Sequence, residues 1–165
     1  MKLIIENSKD PRHNLAREEA LLQGIEQETL YLWRNSPSVI IGRNQNTFAE
    51  IDEAAAKDEG VLIVRRLTGG GAVYHDLGNV NFSYIFPGGD PDKRRLQGIR
   101  MLEEWLSASG ADCVFSGRND ICIRDRQGHL CKVCGTAMTQ RGDKGIFHGC
   151  VLFDCDLEMM SRILT

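Results

Sequence analysis

Residues 65–84 read RRLTGGGAVYHDLGNVNFSY, and the fold turns on how this stretch is divided. An apolar run, Val61-Leu62-Ile63-Val64, leads into it. After the glycines come Ala72-Val73-Tyr74, the turn-prone Asp76-Leu77-Gly78-Asn79, and then Val80 to Phe86. That order predicts strand, tight glycine loop, short strand, turn, strand. Gly69, Gly70 and Gly71 are free to take positive φ and to let a ligand approach the main chain. Their N–H groups can form a concave nest for an anion. Arg65 and Arg66 enter the loop and can bring a guanidinium fork to the same anion. A glycine triplet by itself reads more readily as a flexible hairpin loop. The flanking arginines, with His75, Asp76 and Asn79 close behind, favour the anion-binding reading.

Two familiar phosphate loops are excluded. No Gly-Lys-Ser/Thr follows, so this is not a Walker loop. The glycines run into Val73-Tyr74 rather than a helix, so the dinucleotide fingerprint fails as well.

Upstream, Lys2 to Glu6 reads as a strand, and Asp10-Pro11 as an N-cap with proline at the first helical position. The helix is expected to run to about Gln27 with Leu15, Leu22 and Ile25 on one face. Thr29–Arg34 and Ser38–Gly42 are strands around the turn Asn35-Ser36-Pro37, and Arg43 to Asn46 is a polar loop. Phe48 to Glu59 reads as one helix stopped by Gly60. Downstream, Asp90-Pro91 opens a helix to about Ser109, with Leu96, Ile99 and Leu106 inward. The basic run Lys93-Arg94-Arg95 lies in its first turn and reads as a solvated face. From Ala111 the pattern is strand: ADCVF, DICIR, HLCKVCGTAM and IFHGCVLF, separated by Gly- and Asp-rich turns. Asp156 caps a last helix with Leu157, Met160 and Leu164 on one face. No linker, repeat or low-complexity segment interrupts residues 1–165, which read as one domain. The fold class is α+β, a mixed or antiparallel sheet with helices packed on it.

A chain of 165 residues can bury one sizeable core. With 42% hydrophobic and 26% charged residues it has the composition of a globular protein. The net charge of −3 argues against a general nucleic-acid or membrane-surface binder. No apolar run approaches a membrane span and no signal-peptide core opens the chain, which places it in the cytoplasm. Cys131 and Cys134 form a CxxC, but in a strand, and Cys150 and Cys155 have the wrong spacing for a second zinc knuckle. Reduced, mostly buried thiols are expected.

Chemistry gathers at a second place. Lys132 sits in HLCKVCG with Leu130 and Cys134 on its face, and a lysine among apolar neighbours is costly to bury unless it meets an anion. An edge-strand lysine that discourages aggregation is the alternative. Gly117-Arg118-Asn119-Asp120 is a polar turn, and Asp120 can pair with a lysine or hold a divalent cation. His148, between Phe147 and Gly149, reads most simply as a satisfied core histidine. No Ser or Cys stands in an evident nucleophile-plus-base arrangement.

Taken together, RRLTGGGAVYHDLGNVNFSY, SGRNDICI, KVCGTA and FHGCVLFDCDLE resemble the catalytic domain of the lipoate-protein ligase A family. DPRHNLAREEAL, LYLWRN and VIIGRNQN agree with it, so the likeness spans essentially all 165 residues. The wider superfamily includes octanoyltransferases and biotin-protein ligases. The resemblance implies ATP-dependent formation of lipoyl-adenylate and transfer of the lipoyl group to a lysine. The acceptor would be a lipoyl domain of a 2-oxoacid dehydrogenase or glycine cleavage complex. It also implies Mg²⁺ with the ATP. Position by position, Arg66 and the main chain of Gly71, Ala72, Val73 and Tyr74 would hold the nucleotide or adenylate. Lys132 would touch the α-phosphate and the lipoyl carbonyl. Gly69, Gly70, His75, Asn79, Asn119 and His148 would complete the binding set, and Asp120 would orient Lys132 or Mg²⁺. Apolar residues near the glycine loop would line a slot for lipoate.

Cys134 replaces the small Ser-like residue expected in the K-V-x-G element. Set against that family, the chain is expected to stop short of the full catalytic domain and to lack the accessory C-terminal domain. An uncovered stripe on the last helix is therefore expected, met by a separate polypeptide, by self-association or by nothing, with weak ligation by this chain alone. Two other functions compete. An octanoyltransferase would use Cys122 or Cys150 as a thioester nucleophile, and a non-catalytic module would bind lipoate or nucleotide without turnover.

Overall fold

Between Asn79 and Phe86 the chain alternates Asn79, Asn81, Ser83 and Ile85 with Val80, Phe82, Tyr84 and Phe86. In the computed structural model, which describes residues 1–116 and 119–165, this segment is a strand buried on both faces. The strands in chain order are β1 (Lys2–Ile5), β2 (Thr29–Trp33), β3 (Ser38–Ile41), β4 (Leu62–Arg65), β5 (Val73–His75) and β6 (Asn79–Phe86). They continue with β7 (Cys113–Ser116), β8 (Asp120–Arg124), β9 (Leu130–Arg141) and β10 (Lys144–Leu152). Seven form one sheet in the order β1-β2-β6-β10-β9-β8-β7, and three form a second in the order β4-β3-β5. β1 runs parallel to β2, and the other neighbours in the large sheet are antiparallel. The architecture is the expected α+β class with a mixed sheet.

The helices are α1 (Pro11–Gln23), α2 (Glu53–Asp58), α3 (Pro91–Ala108) and α4 (Leu157–Ile163). Each starts on an aspartate whose carboxylate accepts a first-turn N–H: Asp10, Asp52, Asp90 and Asp156. The Arg12 guanidinium also bonds Asp10 and holds its carboxyl down at about 2.

Three layers follow from the alternation. On one face of the large sheet, Phe82, Tyr84, Phe86 and Phe147 pack under Ile99, Leu102 and Leu106 of α3. On the other, Tyr31 and Trp33 meet Leu15 of α1 and Ile40 of β3. The far side of the small sheet buries Val39, Ile41 and Tyr74 with Ile51, Ala56 and Ile163. Each of these large apolar side chains contributes about 1.5–3 kcal/mol on burial. The consequence for the site is that the polar face of β6 is sandwiched between the two sheets rather than solvated.

Some local expectations are corrected. α1 ends at Gln23 rather than Gln27, because the Gly24 N–H closes on the Ala20 carbonyl at 3.0 Å and the chain drops toward β2. The helix expected over Phe48–Glu59 is split by two competing caps. Asn46 Oδ1 accepts from the Phe48 N–H at 3.2 Å, giving only the 3-10 turn Thr47–Ala49, and Asp52 starts α2 afresh. The Lys93-Arg94-Arg95 run is not merely solvated. Arg94 donates to the Gly88 carbonyl (2.8 Å), the Tyr84 hydroxyl (2.9 Å) and the Glu28 carboxylate, stapling α3 to the sheet. The last helix is also better covered than its stripe suggested. Ile163 is fully buried, Met159, Met160 and Leu164 pack beside it, and Leu157 is the one left 58% exposed. Its contacts are supplied by α2 and the small sheet of the same chain.

Candidate functional site

One row of residues crosses five strands of the large sheet. Trp33 (β2), Asn81 (β6), Cys150 (β10), Gly135 (β9) and Asp120 (β8) are successive register partners. All five line a cavity of about 210 Å³ between the two sheets. Leu15, Ile40, the loop residues Gly70, Gly71 and Ala72, and Val73 at the start of β5 form further walls. Trp33, Leu15 and Ile40 make one end apolar, and Asp120 and Lys132 make the other charged.

Lys132 reaches this cavity through an irregularity in the sheet. Along β8 and β9, Ile121 pairs with Cys134 but Cys122 pairs with Lys132, so Val133 is an extra, bulged residue. The bulge breaks the expected face of Leu130, Lys132 and Cys134. Cys134 turns into the core under α3, while Lys132 turns to the cavity side. The Lys132 ammonium lies over Gly135, where a Cβ would come within 3.7 Å of Nζ. Asp120 Oδ1 holds that Nζ at 2.9 Å. The pair is not buried, with side chains 55% and 42% exposed, so it stands solvated at the cavity mouth.

The glycine loop is narrower in its demands than three free glycines. Of the triplet, only Gly70 has positive φ, at +100°. Its carbonyl lies so close to β3 that a Cβ on Gly42 would sit 1.9 Å from the Gly70 oxygen. Gly42, unremarked in the sequence beyond closing a strand, is what lets the loop fold down on the cavity. Gly42→Ala is expected to cost about 1–3 kcal/mol, as overpacking against backbone does, and to loosen the loop. Urea unfolding checks it, and a variant as stable as the parent would show that the loop is free to retreat.

Arg66 and Arg65 do not share one anion. Arg66, almost buried, donates from Nη1 to the Ile40 carbonyl (2.9 Å), from Nη2 to the Gly69 carbonyl (2.8 Å) and from Nε to Thr68 Oγ1 (3.1 Å). It lines the cavity while bracing the loop. Arg65 points away and holds the 42–47 segment, donating to the carbonyls of Gly42 (2.8 Å) and Gln45 (2.9 Å). The Ala72 N–H, a member of the expected nest, donates to the Glu50 carboxylate at 3.3 Å. A carboxylate of the chain itself thus sits on the proposed anion nest.

Beneath the loop runs a buried polar chain. Thr68 accepts from Arg66 and shares a hydrogen bond with His148 Nε2 (2.7 Å), and His148 Nδ1–H meets Glu18 Oε1 (2.8 Å). The Ser83 hydroxyl donates to the same Glu18 oxygen and accepts from Trp33 Nε1 (3.2 Å). His148 thereby joins a buried cation to a buried anion. Glu18 was missed in the sequence, although it continues the buried stripe Asn14, Leu15 and Leu22 of α1. A carboxylate on an apolar helix face is the signal that would have found it.

His75 also lines the cavity and is buried; burial, with Arg66 and His148 nearby, pushes its pKa down to about 3. Asn35 Nδ2 donates to its Nδ1 at 3.2 Å, so the neutral ring carries its proton on Nε2. Folding holds the ring neutral, whereas the unfolded chain protonates it below about pH 6.5. Stability therefore falls as pH drops through that value, by up to about 1.4 kcal/mol per pH unit from this residue. Unfolding free energies measured between pH 7 and 5 should lose this slope in His75→Asn, and an unchanged slope would assign it elsewhere.

Not every candidate comes to the cavity. Tyr74 faces the opposite core, between Val39 and Ile163. Asn79 lies below, donating to the Tyr74 carbonyl (2.9 Å) and to Cys150 Sγ (3.2 Å). Gly69 serves through its carbonyl to Arg66 and does not line the space. Asn119 lines it, and its carbonyl accepts from the Thr136 N–H (2.8 Å) and hydroxyl (2.9 Å). Gly117 and Arg118 of the same turn lie outside the described residues. Asp120 spends Oδ1 on Lys132, and among the described residues no three His, Cys, Asp or Glu side chains converge on a metal position. All six cysteines are free thiols, and Cys131 is exposed while Cys134 is buried. Cys150, on the cavity floor, has its thiol pushed well above the usual range by burial. Among the described residues no helix is long and apolar enough to cross a membrane.

Comparison with known proteins bears on the family of this fold. The family model of the lipoyl protein ligase A/B catalytic domain matches residues 10–165. A lipoate-protein ligase A of Bdellovibrio bacteriovorus is 38% identical over 167 residues, covering 100% of this chain and 48% of the relative. The chain thus spans about half the length of that curated relative. Among solved structures, a bi-partite lipoate protein ligase of Thermoplasma acidophilum, described with its E2 lipoyl domain, is 31% identical with TM-score 0.87. That match covers 99% of this chain and 66% of the other. A lipoate-protein ligase A bound with ATP is 30% identical with TM-score 0.88, over 99% of this chain and 71% of that one.

Proposed function

The chain belongs to the lipoyl protein ligase A/B catalytic-domain family, and from that premise we propose that it activates lipoate with ATP and passes the lipoyl group to an acceptor lysine. The observation that carries the reading is Lys132, held by Asp120 over Gly135 where a largely apolar cavity opens beside the glycine loop. At about 210 Å³ the cavity lies below the ~300–1,000 Å³ of sites that engulf a drug-sized ligand. It suits the acyl part alone, with the nucleotide at the mouth against Gly71, Ala72 and Lys132.

In the first step a lipoate carboxylate oxygen attacks the α-phosphorus of ATP. The bond from that phosphorus to the bridging oxygen breaks, and pyrophosphate leaves with the electron pair. Lys132 neutralises the charge that builds on the phosphoryl oxygens. In the second step the neutral amine of the acceptor lysine attacks the acyl carbonyl, which Lys132 polarises. The carbon–oxygen bond to AMP breaks, AMP leaves as its anion, and the surplus amine proton passes to solvent. Asp120 positions Lys132, and Arg66 and His148 hold the loop and floor. Magnesium in this reading arrives on the triphosphate, since Asp120 is the sole carboxylate among the cavity-lining residues described and is already paired. Glu50 leaves the Ala72 N–H when the nucleotide takes it.

The acceptor is a lipoyl domain, of the kind named with the archaeal neighbour, and a second polypeptide is a partner of the same origin. Residues 1–165 act as one catalytic domain. The cysteine-transferase reading is disfavoured by Cys150, whose buried thiol resists ionisation and whose sulfur accepts from Asn79 rather than facing a base. The test is pyrophosphate release that requires both lipoate and Mg-ATP. Normal lipoate binding without release would favour a passive binding module, and an acyl adduct on Cys150 or Cys122 would favour the transferase.

A further inference from the structure

Asn81 stands out on the cavity floor. It is 0% exposed, and among the described residues neither its Oδ1 nor its Nδ2 meets a protein partner. Other buried polar atoms share that lack, including Tyr31 Oη and Asn79 Oδ1, but among the described residues only Asn81 also lines the cavity. An amide buried without partners at both ends is costly to retain. The cost is offset when the molecule that fills the cavity supplies the missing donor or acceptor.

Its place in the sheet says which part of that molecule. Asn81, Cys150 and Gly135 are successive partners across β6, β10 and β9, so Asn81 lies two strand spacings, roughly 10 Å, from Gly135. The Lys132 ammonium, which meets the carboxyl end in the proposed function, lies over that glycine. The span matches an extended valeryl arm with one small ring at its end. Beyond Asn81 in the row comes Trp33, a flat apolar stop.

We propose that Asn81 is a specificity-determining residue that pairs with the sulfur atoms of the acyl group's terminal ring, and so sets a preference for a dithiolane over a plain hydrocarbon end. This rests on the ligase reading. Nδ2 donates to a ring sulfur, a weak acceptor, and Oδ1 accepts from the thiols when the ring is reduced. A saturated chain of the same length fills the space but leaves both ends of the amide unpaired.

The test compares affinities of the whole chain for lipoate, for octanoate and for 5-cyclopentylpentanoate, which replaces both sulfurs by carbon at nearly constant shape. The wild type is expected to prefer lipoate to either hydrocarbon by about tenfold, the scale of one hydrogen bond to a weak partner. In Asn81→Leu that ratio should collapse toward one. A structural defect alone would lower all three affinities together and leave the ratio intact, which would overturn the assignment. Should Asn81→Leu fail to fold, the wild-type comparison decides alone: equal binding of lipoate and its carbon analogue rejects the role of Asn81. If the wild type binds none of the three acids, the ligase reading fails and this proposal falls with it. If it binds all three equally, only the Asn81 assignment falls.

Discussion

Lys132→Ala is expected to lower lipoate- and ATP-dependent pyrophosphate release by roughly 100- to 1,000-fold, the range seen when one preorganised charge-stabilising donor is removed. The size of the effect follows from how the lysine is placed. The Val133 bulge aims it at the cavity mouth, Asp120 fixes its ammonium at 2.9 Å, and Gly135 leaves room beneath it. A charge already in position contributes to the transition state without reorganising. Because the pair is solvated, its removal should scarcely alter stability, and thermal unfolding of Lys132→Ala should match the parent. Lys132→Arg keeps the charge but not the point-like ammonium, so it should recover only a small part of the rate. Asp120→Asn should fall between, since it frees the lysine without removing it. Pyrophosphate release within a few-fold of the parent in Lys132→Ala would remove the lysine from the chemistry.

What could be read before any coordinates were in hand follows from which forces were local. The caps at Asp10, Asp90 and Asp156 and the strand–loop–strand cut around Gly69–Gly71 depend on neighbours a few residues away. They appeared where expected. Features that depend on strand register did not. The bulge that separates Lys132 from Cys134 is visible only once β8 pairs with β9, because periodicity two assigns both to one face. The division of labour between Arg65 and Arg66 likewise needed the position of β3: Arg66 binds its Ile40 carbonyl, and Arg65 binds the Gly42 carbonyl just past its end. Asn81 was hidden for a related reason. A strand reading Asn-Val-Asn-Phe-Ser-Tyr looks half-solvated, and only the second sheet above it turns the polar face into a cavity floor.

The largest loss of stability is expected from Glu18→Ala. Glu18 and Arg66 are buried charges of opposite sign, joined through His148 and Thr68, and burial alone disfavours the charged guanidinium while Glu18 offsets it. Removing the carboxylate leaves the Arg66 cation without its counter-charge and strips the His148 Nδ1–H and the Ser83 hydroxyl of their acceptor. Breaking a buried pair in this way costs about 3–5 kcal/mol, a large share of the roughly 5–15 kcal/mol by which domains are stable. Glu18→Gln retains an acceptor oxygen and should cost less. The two charges can be separated from their hydrogen bonds by a cycle. If the uncompensated cation is the main cost, Glu18→Ala combined with Arg66→Met should be more stable than the sum of the single changes predicts, because neither charge is then buried alone. Urea midpoints of the four proteins measure this directly. A loss below about 1 kcal/mol in Glu18→Ala, or strict additivity in the double variant, would mean that the chain from α1 to the glycine loop is held by packing rather than by charge. On the charge account the same carboxylate supports function at a distance: Glu18 fixes His148, His148 bonds Thr68, and Thr68 with Arg66 holds the loop over the cavity. Glu18→Gln should therefore weaken nucleotide binding even where the fold survives, although Glu18 is not among the residues that line the cavity.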